Sequence, residues 1–381
     1  MVGSAKFVFV TCQWGAEAAL KRELARLWPG WRSAYSRAGF VTLKLPHPTP
    51  LPDNFALRST LARSYAISLG RASGASASQR AQQVWKLAAG LAIDRLHVWS
   101  REQAVPGTGG YEPSQDPAAV EVRTSIAAAA PAGHACQPAG PPGAANTHRG
   151  DLVLDCVLVQ SNEWWVGYHR AAARATRWPG GIWPGQPPEE MVSRAYLKTS
   201  EALDWMSLPI KPGQRCVELG CAPGGSTQAL LDRGLRVTGI DPANVDPRIA
   251  QQKNFWHLRK RAADVQRKEF SPFQWLIADM NVAPPYTLAT VRDIVTHRLV
   301  HIRGLLLNLK LADWTMANQL PQYVEEVRSW GYPIVRARQL SHQRHEICIA
   351  GLAVPRRRRT RHHRRRLAGT GTASKPAANQ G

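Results

Sequence analysis

Short apolar runs alternate with helix-spaced apolar stretches along the first hundred residues. Phe7-Val-Phe-Val-Thr-Cys12 predicts a strand, Ala16 to Leu27 a helix, and Gly39-Phe-Val-Thr-Leu-Lys-Leu45 a second strand. The opening residues have no long apolar core followed by a small-residue cleavage site, so they read as leading into that first strand and not as a signal peptide. Residues 102–150 are dense in Ala, Pro and Gly with few apolar anchors, the pattern of a disordered insertion. Order resumes at Asp151-Leu-Val-Leu-Asp-Cys-Val-Leu-Val-Gln160 and Trp164-Trp-Val-Gly-Tyr-His169, two adjacent strands that complete the first region across the insertion.

From about residue 185 the pattern becomes a regular alternation of strand and helix. Arg215 to Leu219, Leu235 to Ile240, Phe273 to Ala278, Gly304 to Leu309, Ile334 to Leu340 and Glu346 to Val354 read as strands. Ser226 to Arg233 reads as a helix stopped by Gly234, and Thr315 to Trp330 as a longer one followed by Gly331. Such alternation implies a parallel sheet with helices on both faces and a ligand beyond the carboxyl ends of the strands. The chain therefore divides into residues 1–184, residues 185–355 and a tail of residues 356–381.

At 381 residues the chain is long enough for two or three domains of about 150 residues each. No apolar run reaches the length of about 18 residues that a membrane helix needs, so no membrane partner is expected. Charge changes the picture more. Lys plus Arg number 49 against 27 Asp plus Glu, a net charge of +22. The run Arg356-Arg-Arg-Arg-Thr-Arg-His-His-Arg-Arg-Arg366 contributes eight arginines, yet the rest stays strongly positive without it. A field of that sign favours a polyanion, with nucleic acid first among candidates. The six cysteines form no CxxC pair, which points to a reducing cytoplasm with neither a disulfide framework nor a metal centre.

The strongest local motif is Cys216-Val-Glu-Leu-Gly-Cys-Ala-Pro-Gly-Gly225, which follows a strand and opens a helix. No GK[ST] follows it, so it is not a phosphate-binding Walker loop, and it is a poor GxGxxG. Glu218 stands before the turn and Asp241 ends the next strand. A carboxylate at Glu218 repels a pyrophosphate but suits an amine, and an acid at Asp241 suits ribose hydroxyls. S-adenosylmethionine offers both.

Ser193-Arg-Ala-Tyr-Leu-Lys-Thr-Ser-Glu-Ala-Leu203, Glu218 to Gly225, Ala278-Asp-Met280 and Asn308-Leu-Lys310 resemble the FtsJ-type (RrmJ-like) RNA 2′-O-ribose methyltransferases. The closer likeness is to the RlmM-type large-subunit ribosomal RNA cytidine 2′-O-methyltransferases. Asn308 to Leu311, Ala337 to Leu340, His342 and Glu346 carry it. The likeness covers residues 185–354 and extends more weakly to the first region, which resembles that family's THUMP-containing part at Ala62-Arg-Ser-Tyr-Ala66 and Arg95-Leu-His-Val-Trp99. The implied fold is α/β: a Rossmann-like S-adenosylmethionine methyltransferase domain preceded by an α+β THUMP-like RNA-binding domain.

The resemblance implies a catalytic tetrad of Lys198, Asp279, Lys310 and Glu346. It also implies a methyl-donor site lined by Ser193, Glu218, Gly220, Ala222, Pro223, Gly224, Gly225, Asp241 and Asp279. The relatives have an acid soon after the third strand, where this chain has Arg261; Asp264 is the next acid and the expected adenine contact. Ser226 stands where the relatives have Trp. Transfer from a sulfonium to a ribose hydroxyl is an in-line displacement in which the hydroxyl loses its proton, and a lysine can take that proton only when neutral. The expectation is that Lys310 addresses the 2′-hydroxyl, that Lys198 supports a depressed pKa there, and that Asp279 and Glu346 orient the amines. Because carboxylates oppose such a depression, Lys310 remains either a base or a steering donor. No metal is required, since the leaving group departs neutral.

For RNA, Lys21, Arg22, Arg26, Arg58, Arg63 and Arg71 stand near Trp28, Trp31 and Tyr65 in sequence, a mixture suited to phosphate contact and base stacking. Arg170 to Trp178 would bridge the two regions, and the arginine tail would add salt-dependent affinity. The expected substrate is large-subunit (23S) ribosomal RNA. The alternatives are another RNA class, or a catalytically silent RNA-binding or assembly protein on the same fold.

Overall fold

The computed structural model of the protein describes residues 5–49, 51–52, 54–114, 116–132, 134 and 147–353, which build two seven-stranded sheets. The arginine run from Arg356 lies outside the described residues. The first sheet comprises β1 (Ala5–Thr11), β2 (Arg32–Arg37), β3 (Phe40–Thr49), β4 (Ser64–Ala72), β5 (Arg95–Ser100), β6 (Leu152–Gln160) and β7 (Glu163–Arg170). Its order is β2-β3-β1-β4-β7-β6-β5, and every neighbouring pair is antiparallel except β5 with β6. Helix α1 (Glu17–Leu27) buries Ala19, Leu20 and Leu24 against this sheet's core, and α2 (Ala77–Leu87) buries Ala81, Val84 and Trp85.

The stretch expected to be a disordered insertion contains a third helix, α3 (Pro117–Ala128). Asp116 caps it by accepting from the Ala119 amide at 2.7 Å, and Pro117 occupies the first turn, where its missing N–H costs nothing. Two anchors suffice to seat it: Ala119 and Ile126 are buried in the apolar cluster of α2, and the Trp85 indole donates to the Ile126 carbonyl at 2.7 Å. Alanine reads as filler in composition, but it is the best helix former once a cap and an anchor exist. Residues 135–146 of the same stretch lie outside the described residues.

The second sheet follows α4 (Ala195–Met206). Its elements are β8 (Arg215–Leu219), α5 (Gly225–Asp232), β9 (Arg236–Ile240), α6 (Pro247–Ala250), β10 (Phe255–Leu258), β11 (Trp275–Ala278), α7 (Pro284–Val295), β12 (Gly304–Lys310), α8 (Leu320–Ser329), β13 (Ile334–Arg338) and β14 (Glu346–Leu352). The order is β10-β9-β8-β11-β12-β14-β13, with the first five strands parallel and β14 antiparallel to both neighbours. The chain leaves β8 in one direction and returns to β11 on the other side, so the topological switch point lies between them. β8, β11 and β12 are buried almost throughout, as strands covered on both faces must be.

The helix expected from Thr315 starts as a 3₁₀ segment, Trp314–Gln319, and becomes α-helical only at Leu320. Pro321 is the reason: it is tolerated in the first turn of α8 but would break a helix that began at 315.

The two sheets are not independent bodies. One continuous apolar cluster runs from Val8, Val10 and Leu20 of the first half to Leu219, Leu305 and Ile349 of the second. Polar contacts close the seam. The buried Arg338 guanidinium donates to the carbonyls of Arg63 at 2.9 Å and Gly181 at 3.1 Å, and the Gln339 amide to that of Thr60 at 2.8 Å.

Candidate active site

Three strand ends and one helix deliver four charged side chains to the same point. Asp279 follows the last residue of β11, and Lys310 ends β12. Because β14 runs antiparallel, its first residue lies at that same edge, and the ladder pairs Lys310 directly with Glu346. Lys198 enters from α4, in the buried run Tyr196 to Met206.

The four form a closed ring in which each carboxylate gives one oxygen to each lysine. Lys198 Nζ lies 3.2 Å from Asp279 Oδ2 and 3.0 Å from Glu346 Oε2; Lys310 Nζ lies 2.8 Å from Asp279 Oδ1 and 2.7 Å from Glu346 Oε1. Charges alternate around the ring and cancel. Lys310 is its most open corner, 24% exposed in its side chain against 7% for Asp279. Burial acts to lower the Lys310 pKa, but Asp279 and Glu346 outweigh it and hold the ammonium above its ordinary value. Burial likewise acts to raise Asp279, and the two lysines overcome it and hold the acid below its usual range. The depressed Lys310 pKa expected from the sequence is therefore not what this geometry produces. The second ammonium is not a bare neighbour, because two carboxylates stand between it and Lys310.

The glycine turn lies beside this ring, at the switch point. Gly220 has φ +79°, and a Cβ there would sit 2.8 Å from the Asp279 carbonyl oxygen, so only glycine lets the turn pack against the end of β11. A Cβ on Gly225 would meet the Ser193 carbonyl oxygen at 2.7 Å. Asp241 accepts from the Ala222 amide at 3.1 Å and the Ala243 amide at 2.8 Å, while the Pro223 carbonyl accepts from the Asp246 amide at 2.8 Å. Glu218 is wholly buried, with one oxygen accepting from Thr227 Oγ1 at 2.6 Å and no partner at the other among the described residues. Burial, with the charges of Asp279 and Asp241, pushes it up to about 8 against the pull of Thr227 and Ser226. Ser193 Oγ is a second buried polar atom without a partner among the described residues. An unpaired acceptor and an unpaired hydroxyl beside a left-handed glycine turn fit a ligand carrying an amine and a carboxylate.

Other sequence expectations fare differently. Asp264 lies exposed in the turn Ala262–Asp264 beyond β10, two strands outward from Glu218. Arg63 is not an RNA-facing residue: it is buried against Glu102 at 3.0 Å. Tyr65 is also core, its hydroxyl donating to the Phe55 carbonyl at 3.0 Å. Trp28 and Trp31 stack on each other with centroids 4.9 Å apart and pack on the main core. Arg71 is engaged with Glu163 at 3.6 Å. Arg22, Arg26 and Arg58 remain exposed, and Arg22 donates to the Trp314 carbonyl, four residues past Lys310. Within 170–178, Ala171, Ala175 and Trp178 are buried, so that run is as much a seam as a cationic track.

Sequence reasoning missed the supports. Glu201 on α4 accepts from the Ser341 amide and hydroxyl at 2.8 and 2.7 Å, fastening the helix of Lys198 to the loop before Glu346. Thr199 donates to Ser226 Oγ at 2.8 Å, joining α4 to α5. No local pattern predicts a pairing such as Glu201 with Ser341 across 140 residues. Away from this edge, His97, Asp155 and His169 form a buried cluster with metal-ligand chemistry. Both His169 nitrogens are engaged there, with Asp155 at 2.5 Å and the Thr176 carbonyl at 2.7 Å, and His97 Nε2 meets Thr147 at 2.9 Å. These bonds tie β6 and β7 to each other and to the turn after β7, and β5 to the segment that enters β6.

A doubly wound sheet with a glycine turn at its switch point and two acids beside it defines an S-adenosylmethionine-dependent methyltransferase fold. Residues 191–319 match the family described as FtsJ-like methyltransferase. Its curated relatives include Ribosomal RNA large subunit methyltransferase M of Halorhodospira halophila, 33% identical over 185 residues that span 48% of this chain and 53% of that one. The protein of the same name from Aromatoleum aromaticum is 33% identical over 189 residues, 46% of this chain and 49% of that one. This chain spans about half the length of these relatives. Among solved structures, TrmN from Thermus thermophilus covers 91% of this chain and 99% of its own at 14% identity, with a TM-score of 0.31.

Proposed function

We propose that this protein transfers the methyl group of S-adenosylmethionine to a ribose 2′-hydroxyl of RNA, with 23S ribosomal RNA as the substrate and the cytoplasm as the place of action. The observation that carries the reading is the closed Lys198–Asp279–Lys310–Glu346 ring standing beside the glycine turn. The relatives named above are ribosomal RNA methyltransferases by name, which supports the choice of substrate.

In this reading Glu218 and Ser193 hold the amino-acid end of the donor, Gly220 to Gly225 lie along it, and Asp241 receives its ribose hydroxyls. Asp279 borders both donor and ring. Asp264 is the outermost candidate, for the adenine. When bound, the donor supplies a methyl on a sulfonium whose sulfur leaves as a neutral thioether. Lys310, the open corner, meets the 2′-oxygen. Held protonated by Asp279 and Glu346, it acts as a hydrogen-bond donor that steers the oxygen and favours its developing negative charge, while the hydroxyl proton leaves to solvent at this open corner as the methyl–oxygen bond forms. Lys198 neutralises the inner oxygens of the same carboxylates and keeps them from turning away. The steering role is thus favoured over that of a general base.

Residues 1–184 are the THUMP-like RNA-binding region, 185–355 the methyltransferase domain and 356–381 a basic tail. The exposed arginines of α1 beside the Trp314 turn support an RNA path that leads to Lys310. The test is to incubate the purified protein with radiolabelled S-adenosylmethionine and 23S ribosomal RNA from cells lacking the gene. Label in alkali-resistant dinucleotides is the expected result; label confined to bases, or none, would overturn the reading.

A further inference from the structure

Residues 105–112, which leave the first sheet after β5, lie against the second half at two points. Arg344 donates to the carbonyls of Pro106 at 2.8 Å and Gly107 at 2.9 Å. Gly107 has φ +76°, and a Cβ there would fall 2.6 Å from the Arg194 guanidinium carbon and 2.7 Å from Arg344 Nη2. Two residues beyond the tight turn Thr108–Gly110, Glu112 receives Arg194 on both oxygens: Nη2 reaches Oε2 at 3.0 Å, and Nε reaches Oε1. The same Oε2 lies 3.0 Å from His342 Nδ1, and Arg194 donates to the His342 carbonyl at 3.0 Å. Burial acts to raise the Glu112 pKa, but His342 and Arg194 outweigh it and hold the acid down to about 2.

The positions of these two partners along the chain matter. Arg194 follows Ser193, which packs on Gly225, and begins the helix whose first turn ends at Lys198. His342 stands four residues before Glu346, in the loop that enters β14. One carboxylate from the first half therefore joins the segment that delivers Ser193 and Lys198 to the segment that delivers Glu346.

We propose that Glu112 is a positioning residue for methyl transfer, setting the spacing between the start of α4 and the loop before β14, and hence the closure of the four-membered ring. The proposal rests on the methyltransferase reading above. A residue in this role changes turnover more than substrate affinity, since a displacement of about 1 Å at a reacting group can cost about a hundredfold in rate. Glu112 touches neither Lys310 nor the glycine turn among the contacts described, so it acts through Arg194 and His342.

The experiment uses the full chain and compares wild type with Glu112→Ala, Glu112→Gln and Arg194→Lys. Each is measured for kcat, for KM toward ribosomal RNA and toward S-adenosylmethionine, and for melting temperature. Expected is a kcat lowered about tenfold or more by Glu112→Ala, with KM for RNA within twofold and the melting temperature nearly unchanged. Glu112→Gln, which keeps a hydrogen-bond acceptor, should recover part of the turnover. It also serves as the folded variant if the alanine form is unstable. Combining Glu112→Ala with Arg194→Lys should cost less than the product of the separate effects, as for two residues acting through one contact. Wild-type turnover in a folded Glu112 variant overturns the inference, as does a loss confined to KM for RNA. A wild-type chain that transfers no methyl group overturns the functional reading, whereas an active wild type with an equally active Glu112→Ala overturns this inference alone.

Discussion

Lys310 and Glu346 are direct cross-strand partners at the end of the β12–β14 ladder, and their side chains meet at 2.7 Å. Backbone register, and not side-chain flexibility, therefore fixes where the ammonium points. Lys310→Ala should lower methyl transfer at least a hundredfold while S-adenosylmethionine affinity stays within about threefold, since no contact joins it to Glu218 or Ser193 among those described. Labelled-methyl incorporation and calorimetric titration measure the two quantities. Turnover near wild type would remove Lys310 from the reaction.

Glu346→Gln withdraws one of the two carboxylates that raise Lys310, so the lysine pKa must fall. If the ammonium form is the working one, the lysine stays protonated through the neutral range and the rate there does not rise. A base working as the neutral amine predicts the opposite, a gain in rate near neutral pH. A pH–rate profile of the variant from pH 6 to 10 decides between the two.

Glu218 has a pKa pushed up to about 8, above the ordinary carboxylate value, so the folded protein holds a proton that the unfolded chain releases. Its contribution to stability is accordingly fully present at low pH and lost as pH rises through about 8. A bound amine reverses the preference and favours the carboxylate. Donor binding below about pH 8 should therefore release a proton, seen as a binding enthalpy that depends on the ionisation enthalpy of the buffer. Glu218→Gln should abolish that dependence, weaken donor binding tenfold or more, and stabilise the fold at alkaline pH. A buffer-independent enthalpy in the wild type would show that Glu218 is already ionised.

Lys198 lies between two carboxylates with its side chain 10% exposed. Removing one partner of a buried ionic group typically costs about 3–5 kcal/mol, because the charges left behind repel and lack solvent. Lys198→Ala should lower the unfolding free energy by that order and Lys310→Ala, at the open corner, by clearly less. Urea denaturation curves of the two variants give the comparison; equal losses would mean that exposure does not govern the ring's contribution.

Much of the second sheet is legible in the sequence because its strands are buried on both faces and read as short apolar runs bounded by turns. β8 and β12 are examples. The glycine turn announces itself for the same reason, since only glycine fits the close approach of Gly220 to the end of β11. What is hidden depends on partners far along the chain. Glu346 alone reads as the start of an edge strand; only the insertion of β14 between β12 and β13 brings it to the lysines. β2, Arg-Ser-Ala-Tyr-Ser-Arg, is a largely solvent-facing edge strand without apolar alternation, and β10 has only four residues. Arg63 and Tyr65 look like surface chemistry but are buried, Arg63 paired with the Glu102 carboxylate and Tyr65 donating to the Phe55 carbonyl. No local rule separates those cases.

The apolar cluster that runs unbroken from Val8 to Ile349 carries a practical consequence. Severing the polypeptide between the sheets would strip the cover from oily surface on each fragment, so neither piece should express as a well-behaved species by itself. Exchange of the first region between relatives would then require carrying its share of that interior along, and a chimera spliced near residue 185 should precipitate unless the two sides of the interior are matched to each other.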